Sequence, residues 1–217
     1  VMPLDPSRAM IQTECMARLV DQSGTLVPAA NFLPMAARHR LMPEIDRAML
    51  SLAFDHLCQA AADAVVVAVN LSPQSIADPG FMKWLKHELM ALGHQGRYLA
   101  IELSEFGAIR NLPATLELRD LVRHGGGQFG IDHFGLEPRA LELLRQVVPD
   151  YVKLTGALMT DLAGMDSATD MLASFVTLAH SLDVLVIALQ VESQQQLSVL
   201  RRAQVDAGQG YYFGVPQ

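Results

Sequence analysis

Short apolar runs alternate with amphipathic runs along the chain. The apolar runs are rich in Val, Ile, Leu and Tyr and lack the polar alternation of half-exposed sheets, which is typical of strands buried on both faces. The predicted strands are Ala64–Leu71, Tyr98–Leu103, Gln128–Asp132, Tyr151–Leu154, Val184–Leu189 and Gly208–Phe213, with a further strand expected within Ala9–Val20.

Helical periodicity fills the segments between these strands. In Pro43–Ala62 the apolar residues Ile45, Met49, Leu52 and Ala53 follow the spacing of one helix face. Further predicted helices are Phe81–Leu92, Leu112–His124, Arg139–Val147, Ala168–Leu182 and Gln194–Ala203. Ser193 followed by Gln196 predicts a capping box at the start of the last helix, and Gly125-Gly126-Gly127 predicts a helix end before a strand.

Repeated strand–helix–strand units predict a parallel sheet with right-handed crossovers. The number of units favours a closed α/β barrel over an open sheet, although spacing alone does not distinguish the two. No repeat or linker divides the chain, so we predict one domain over residues 1–217. Because the sequence begins at Val1, we interpret it as a piece excised from a longer, multidomain protein.

Composition excludes several classes of protein. The 217 residues carry a formal charge of −7, which argues against direct nucleic-acid binding. The two cysteines, Cys15 and Cys58, cannot form a disulfide scaffold or a four-thiolate zinc site, and reduced thiols are expected on the cytoplasmic side of a membrane. No apolar run reaches the roughly 20 residues of a membrane span.

Polar side chains recur at the predicted strand ends. Asn70, Glu102, Asp132 and Lys153 lie at or near such ends, and Glu14 lies in the first predicted strand region. A carboxylate in this position is, taken singly, more often a helix cap. Their repetition favours a shared site, because the carboxyl ends of barrel strands face one mouth. The oxygen ligands suit Mg²⁺, Mn²⁺ or Ca²⁺ better than zinc.

A series of motifs, in order, resembles the EAL domain family of cyclic di-GMP phosphodiesterases. The matching segments are Glu14-Cys15-Met16 with Arg18, Phe32-Leu33-Pro34, Val69-Asn70-Leu71-Ser72, Ile101-Glu102-Leu103-Ser104-Glu105, Ile131-Asp132-His133-Phe134-Gly135, Val152-Lys153-Leu154 and Gln209-Gly210-Tyr211-Tyr212-Phe213. The resemblance covers Pro3 to Pro216 and implies an EAL-type (β/α)8 TIM-like barrel with one antiparallel strand.

The resemblance also implies roles for individual residues. Glu14, Asn70, Glu102 and Asp132 correspond to ligands of a first metal, here a vestigial site, so that no cofactor is required but Mg²⁺, Mn²⁺ or Ca²⁺ would fit. Lys153 corresponds to the lysine that holds the attacking water, and Glu105 to the glutamate that steadies a loop. The expected ligand-binding residues are Arg18, Glu14, Asn70, Glu102, Asp132, Lys153, Glu192 and Gln209.

Several positions depart from the family pattern. Leu189 replaces the general base, and His133 replaces an aspartate that binds the second metal, although imidazole is itself a metal ligand. Thr155 replaces a further aspartate, and the loop Leu136–Ala140 differs from the usual one. Since loss of a general base typically costs about 10²–10⁴-fold in rate, the sequence predicts that the chain is not an enzyme.

Degenerate members of the family suggest three functions. The favoured prediction is a cyclic di-GMP receptor without hydrolysis, similar to FimX-like or LapD-like regulators. The alternatives are a CsrD-like, nucleotide-independent protein-interaction module and a weakly active phosphodiesterase. The resemblance further implies protein partners, an EAL homodimer, a GGDEF domain in the parent chain and anchoring of that parent in the inner membrane.

Overall fold

A computed structural model describes residues 1–4, 12–59, 65–155 and 166–214. Its described strands are β1 Met2–Pro3, β2 Gln12–Cys15, β3 Arg18–Val20, β4 Leu26–Pro28, β5 Val66–Leu71, β6 Leu99–Ser104, β7 Gln128–Phe134, β8 Tyr151–Leu154, β9 Leu185–Ala188 and β10 Ala207–Gly208. Its described helices are α1 Ala29–Arg38, α2 Met42–Gln59, α3 Pro73–Ile76, α4 Pro79–Leu92, α5 Glu105–Arg110, α6 Leu112–His124, α7 Ala140–Val147, α8 Asp166–His180 and α9 Gln194–Arg202, with a 3₁₀ turn at Gly93–Tyr98.

The chain folds as two compact units. The first unit comprises Val1–Gln12, Ser104–Arg110 and Phe129–Gln217, and the second comprises Thr13–Leu103 and Asn111–Gln128. The sequence prediction of a single domain over residues 1–217 stays a prediction.

In the first unit the strand order is β1-β10-β9-β8-β7. Strands β7 to β10 are parallel, and β1 pairs antiparallel with β10 through Met2↔Gly208 and Pro3↔Ala207. This pairing confirms the antiparallel strand that the family resemblance implies. The residues of β8 are all buried, as the unbroken apolar pattern predicted.

In the second unit β5 and β6 are parallel, with Val67↔Leu99 and Asn70↔Glu102 in register. Strands β3 and β4 form a separate antiparallel hairpin that the sequence analysis did not anticipate. On α2 the buried residues are Met42, Asp46, Leu50, Ala53, Phe54 and Leu57. The predicted face was therefore wrong in part, since Leu52 is 65% exposed and Asp46 is buried.

Most of the predicted elements are found within a few residues of their expected bounds. The capping box of α9 is confirmed, because Ser193 Oγ accepts from the N–H of Gln196.

The predicted strand Gly208–Phe213 is wrong after Gly208, and the chain turns instead. A Cβ at Gly210, whose φ is 157°, would lie 2.3 Å from the carbonyl oxygen of Val191, so this turn requires glycine.

Some predictions fall on residues outside the described ranges. The first part of Ala9–Val20, the end of Pro43–Ala62 and the start of Ala64–Leu71 are among them. Within the described part of the chain, no helix is long and apolar enough to cross a membrane.

Candidate functional site

The second unit brings three of the predicted residues together. Asn70, at the end of β5, donates from Nδ2 to Oε1 of Glu14 on β2 over 2.8 Å. Glu102 is the register partner of Asn70 on β6, so the two side chains leave the same face of the sheet. Asn70 is exposed, whereas Glu102 is fully buried. This face therefore carries two carboxylates and one amide at neighbouring positions.

A buried carboxylate on α2 holds the segment that follows β5. Oδ2 of Asp46 accepts from Ser72 N–H at 2.8 Å and from Ser75 Oγ at 2.6 Å. Burial raises the pKa of Asp46, and the hydrogen bonds from the two serines oppose this shift. The sequence analysis missed Asp46, although a charged residue spaced four positions from the apolar Met42 and Leu50 was the available signal.

Arg18 lies on the hairpin strand β3 and is exposed. Its guanidinium turns back to the two residues that precede β3, where Nη1 donates to the carbonyl of Ala17 at 2.9 Å and Nη2 approaches Met16 Sδ at 3.6 Å. Because this planar cation is exposed, it can stack on the face of a base or donate hydrogen bonds to its edge.

The first unit contains a charged cluster at the ends of β7 and β8. His133 Nδ1 lies 2.7 Å from Asp132 Oδ2, and the His133 N–H donates to Asp132 Oδ1 at 2.8 Å. Burial raises the pKa of Asp132, but the hydrogen bond and charge of His133 and the charge of Lys153 outweigh it, so the pKa lies below its ordinary value. Lys153 is only 1% exposed.

The backbone at His133 departs from regular strand geometry. Its φ is 55°, in the left-handed region, and the register between β7 and β8 shifts between Ile131 and Phe134. A bulge of this kind redirects a side chain beside a site. Here it leaves the His133 side chain 62% exposed while Asp132 stays covered.

Glu105 organises the loop that follows β7. Its Oε2 accepts the N–H groups of Gly135, Leu136 and Glu137 at 3.1, 2.9 and 3.0 Å. Burial raises the pKa of Glu105, and the three N–H groups oppose this shift. Glu105 therefore binds the backbone of this loop at three successive residues, and its role beside a metal stays a prediction.

Buried oxygen atoms of this unit without a hydrogen-bond partner among the described residues include Oε1 of Glu105 and Oγ1 of Thr155, the residue that follows β8. An unsatisfied buried oxygen costs about 1–3 kcal/mol. Both atoms can accept a hydrogen bond from a water or a ligand group.

The remaining predicted residues are less closely organised. Leu189 is half-buried and its N–H donates to the carbonyl of Leu154 at 3.1 Å. Glu192 is exposed, and its backbone N–H donates to Gln196 Oε1. Gln209 is half-buried and exchanges backbone hydrogen bonds with Val191 and Ala188.

Within the described part of the chain, no group of three or more His, Cys, Asp or Glu side chains is arranged to hold an ion. In addition, Asp132 is engaged by His133. The assignment of Glu14, Asn70, Glu102 and Asp132 as metal ligands stays a prediction.

Comparison with known proteins identifies the family. The EAL domain model matches residues 4–216, and the chain therefore belongs to the EAL domain family. It is 27% identical over 207 residues to the cyclic di-GMP phosphodiesterase PdeB of Shewanella oneidensis, covering 94% of this chain and 24% of PdeB. The chain spans about a quarter of the length of the curated relatives it matches.

Solved structures confirm the predicted α/β barrel fold of the EAL domains. The FimX EAL domain of Pseudomonas aeruginosa bound to c-di-GMP has a TM-score of 0.87 and 26% identity, covering all of this chain and 88% of that one. The MucR phosphodiesterase of the same organism in a c-di-GMP complex has a TM-score of 0.83 and 25% identity, covering all of this chain and 90% of that one.

The comparisons correct one prediction. The sequence analysis expected that the chain is not an enzyme, because of Leu189 and His133. Relatives that match it along nearly its whole length are named as cyclic di-GMP phosphodiesterases, which places it in an enzyme family. The inference of inactivity rested on the substituted positions, although the chain also retains Asp132, Lys153 and Glu105.

Proposed function

We propose that this chain is a signalling domain that binds cyclic di-GMP. The observation that carries the proposal is that strand ends in each unit carry polar side chains, in a chain similar along its whole length to an EAL domain solved with c-di-GMP. Folds of the α/β barrel class bind their ligands at the carboxyl ends of the strands.

The chemistry of the retained residues supports this ligand. Cyclic di-GMP presents two phosphodiester anions and two guanines. Arg18 is exposed and has the planar fork that suits a guanine edge or face. Lys153 supplies a buried cation. The carboxylate of Glu105 accepts backbone N–H groups of the loop after β7 and so holds this loop in place.

Binding is the step that a receptor and a phosphodiesterase share. At position 189 a leucine offers no proton acceptor, so turnover by this chain would require another group to accept the proton from water. The buried Glu105 Oε1 is one described oxygen without a hydrogen-bond partner inside the described ranges. A GGDEF neighbour, protein partners and membrane anchoring of the parent protein stay predictions.

Isothermal titration calorimetry tests the proposal. Cyclic di-GMP is titrated into the wild type, Arg18→Ala and Arg202→Ala, with Ca²⁺ present and with a chelator. Arg202 is exposed at the end of α9 and serves as the matched control. We expect saturable heat for the wild type and Arg202→Ala and weaker binding for Arg18→Ala. Absence of heat in both metal conditions would overturn the proposal.

A further inference from the structure

The sulfur of Met16 lies beside the guanidinium of Arg18 in the second unit. Met16 stands between β2 and β3 and is 47% exposed. Nη2 of Arg18 donates to Met16 Sδ at 3.6 Å, and Nη1 donates to the carbonyl of Ala17 at 2.9 Å. The sulfur is therefore open to solvent and also in contact with the cation that the proposed function assigns to a guanine.

The present contact holds the Arg18 side chain only weakly, because a thioether sulfur is a weak hydrogen-bond acceptor. The backbone of Arg18 is held separately, since β3 pairs with β4 and Arg18 lies opposite Pro28. A chemical change at the sulfur of Met16 would therefore act on the guanidinium and leave the strand in place.

A hydroperoxide converts a thioether to a sulfoxide. The sulfur loses two electrons and forms a bond to one peroxide oxygen, the O–O bond breaks, and the second oxygen leaves as water or an alcohol. In Met16 the added oxygen would be carried by an atom that already lies 3.6 Å from Nη2 of Arg18. A hydrogen bond from this charged donor to a polar oxygen is stronger than one to a thioether.

We propose that Met16 is a site of reversible oxidation by hydroperoxides, and that its sulfoxide holds Arg18 back from the ligand. The inference rests on the proposed role of Arg18 in binding cyclic di-GMP. A guanine and the sulfoxide oxygen compete for the same guanidinium N–H groups, so oxidation weakens binding. Reduction by a thiol-dependent reductase releases the oxygen as water and restores the thioether.

Other exposed methionines lack this arrangement. Met35, Met90 and Met171 are more exposed than Met16, so a hydroperoxide should oxidise them as well. Within the described ranges, no hydrogen bond joins the sulfur of any of these three residues to a charged group. Their oxidation should therefore leave the Arg18 guanidinium unaffected, and Met90→Leu is the matched control.

The first experiment needs no ligand. After treatment with hydrogen peroxide, peptide mapping by mass spectrometry locates the sulfoxides, and NMR follows the guanidinium signals of Arg18, assigned by comparison with Arg18→Ala. We expect oxidation at Met16 and slower exchange of the Arg18 Nη protons with water, with no change of these signals in Met16→Leu. A Met16 that stays reduced, or Arg18 signals that do not change, would overturn the proposal.

The second experiment measures cyclic di-GMP binding by calorimetry before and after peroxide treatment. Oxidised wild type should bind about three- to tenfold more weakly than reduced wild type, which is the effect of one hydrogen bond. Met16→Gln should bind weakly without oxidation, because its amide oxygen stands in for the sulfoxide oxygen. Met16→Leu should not respond to peroxide, whereas Met90→Leu should respond as the wild type does.

Chemical reversal separates methionine from cysteine oxidation. Methionine sulfoxide reductases should restore the affinity of the oxidised wild type, whereas dithiothreitol, which reverses the oxidation of Cys15 or Cys58 to a disulfide or sulfenic acid, should not. Circular dichroism verifies that each variant and the oxidised protein are folded. A peroxide response that persists in Met16→Leu, or recovery with dithiothreitol alone, would overturn the proposal.

The two experiments also separate this proposal from the proposed function. Absence of binding by the reduced wild type would contradict the proposed function, and the NMR measurement would still decide whether oxidised Met16 holds Arg18. Binding by the reduced wild type that oxidation at Met16 leaves unchanged would support the proposed function and overturn the role of Met16.

Discussion

At the scale of single residues, burial decides which of the polar side chains matter. Asp46 and Glu105 are each nearly inaccessible, and each accepts hydrogen bonds from a segment next to a strand end. The sequence marks Glu105 through its motif, but it gives Asp46 no motif. What distinguishes Asp46 is its place on the buried face of α2, which only the packed structure defines.

The raised pKa of Asp46 predicts a pH dependence of stability. The ordinary value is 3.8, and burial raises the pKa in the folded protein. Between these two values the folded state binds more protons than the unfolded state, so the free energy of unfolding falls as pH rises. We expect the stability of the wild type relative to Asp46→Asn to decline as pH increases above 3.8.

Urea unfolding across a pH series measures this difference. Asp55→Asn, at an exposed position of the same helix, is the matched control for the change from Asp to Asn itself. A difference between the wild type and Asp46→Asn that is constant or rises with pH would contradict the assignment.

Removing the Glu105 carboxylate should release the loop after β7. Glu105→Ala leaves three N–H groups without their acceptor, at a cost of about 1.5–3 kcal/mol in unfolding free energy. Glu105→Gln keeps an acceptor oxygen and should lose less. Chemical denaturation checks both variants, and amide exchange at Gly135 to Glu137 should accelerate in Glu105→Ala. Equal stability of the wild type and Glu105→Ala would refute this role.

At the scale of the elements, the sequence predicted the ends of helices correctly where local hydrogen bonds define those ends. The hydrogen bonds of the α9 capping box and of the α6 end at Gly125 are made between residues close in sequence. The β3–β4 hairpin and the truncation of β10 depend on distant contacts, such as that of Gly210 with Val191. Those features could not be predicted from periodicity.

The capping box gives a quantitative prediction. Ser193→Ala removes the side-chain acceptor of the Gln196 N–H, and substitutions of this kind cost about 0.5–2 kcal/mol. Ser198→Ala, whose hydroxyl donates to a carbonyl on the exposed side of the same helix, should cost less. Thermal and urea unfolding compare the two, and an equal loss in both variants would show that the cap is not the cause.

Close packing between β7 and β8 gives another prediction. A Cβ on Gly130 would lie 2.4 Å from the ring of Tyr151, its register partner, so Gly130→Ala should destabilise the protein by about 1–3 kcal/mol. Combining it with Tyr151→Leu should recover part of that loss relative to Tyr151→Leu alone. Tyr151→Phe separately measures the hydrogen bond from Gln12. Additive losses in the double variant would contradict the steric explanation.

At the scale of the whole molecule, the sequence predicted the fold better than the function. The order of buried strands and amphipathic helices predicts an α/β fold with a parallel sheet, because the chain repeats one strand–helix pattern. The resemblance of the motifs to the EAL family then selects the barrel. The prediction from Leu189 and His133 that the chain is not an enzyme was wrong. A substituted position does not by itself determine the chemical role of the residues around it. His133 is an example, because the substituted residue makes a new contact with its neighbour Asp132.

Ligand binding should also stabilise the whole molecule. A ligand that binds only the folded state at 100 times its Kd adds about 2.7 kcal/mol to the unfolding free energy. Cyclic di-GMP should therefore raise the melting temperature of the wild type in a concentration-dependent way, while GTP at the same concentrations should not. Differential scanning fluorimetry makes the comparison, and identical shifts with both nucleotides would indicate nonspecific binding.

The central claim, recognition of cyclic di-GMP, is tested most directly by equilibrium dialysis with radiolabelled ligand. The account predicts saturation at one ligand per chain, with displacement by unlabelled cyclic di-GMP but not by GTP. A bound fraction that never saturates, or that GTP displaces equally well, would contradict it.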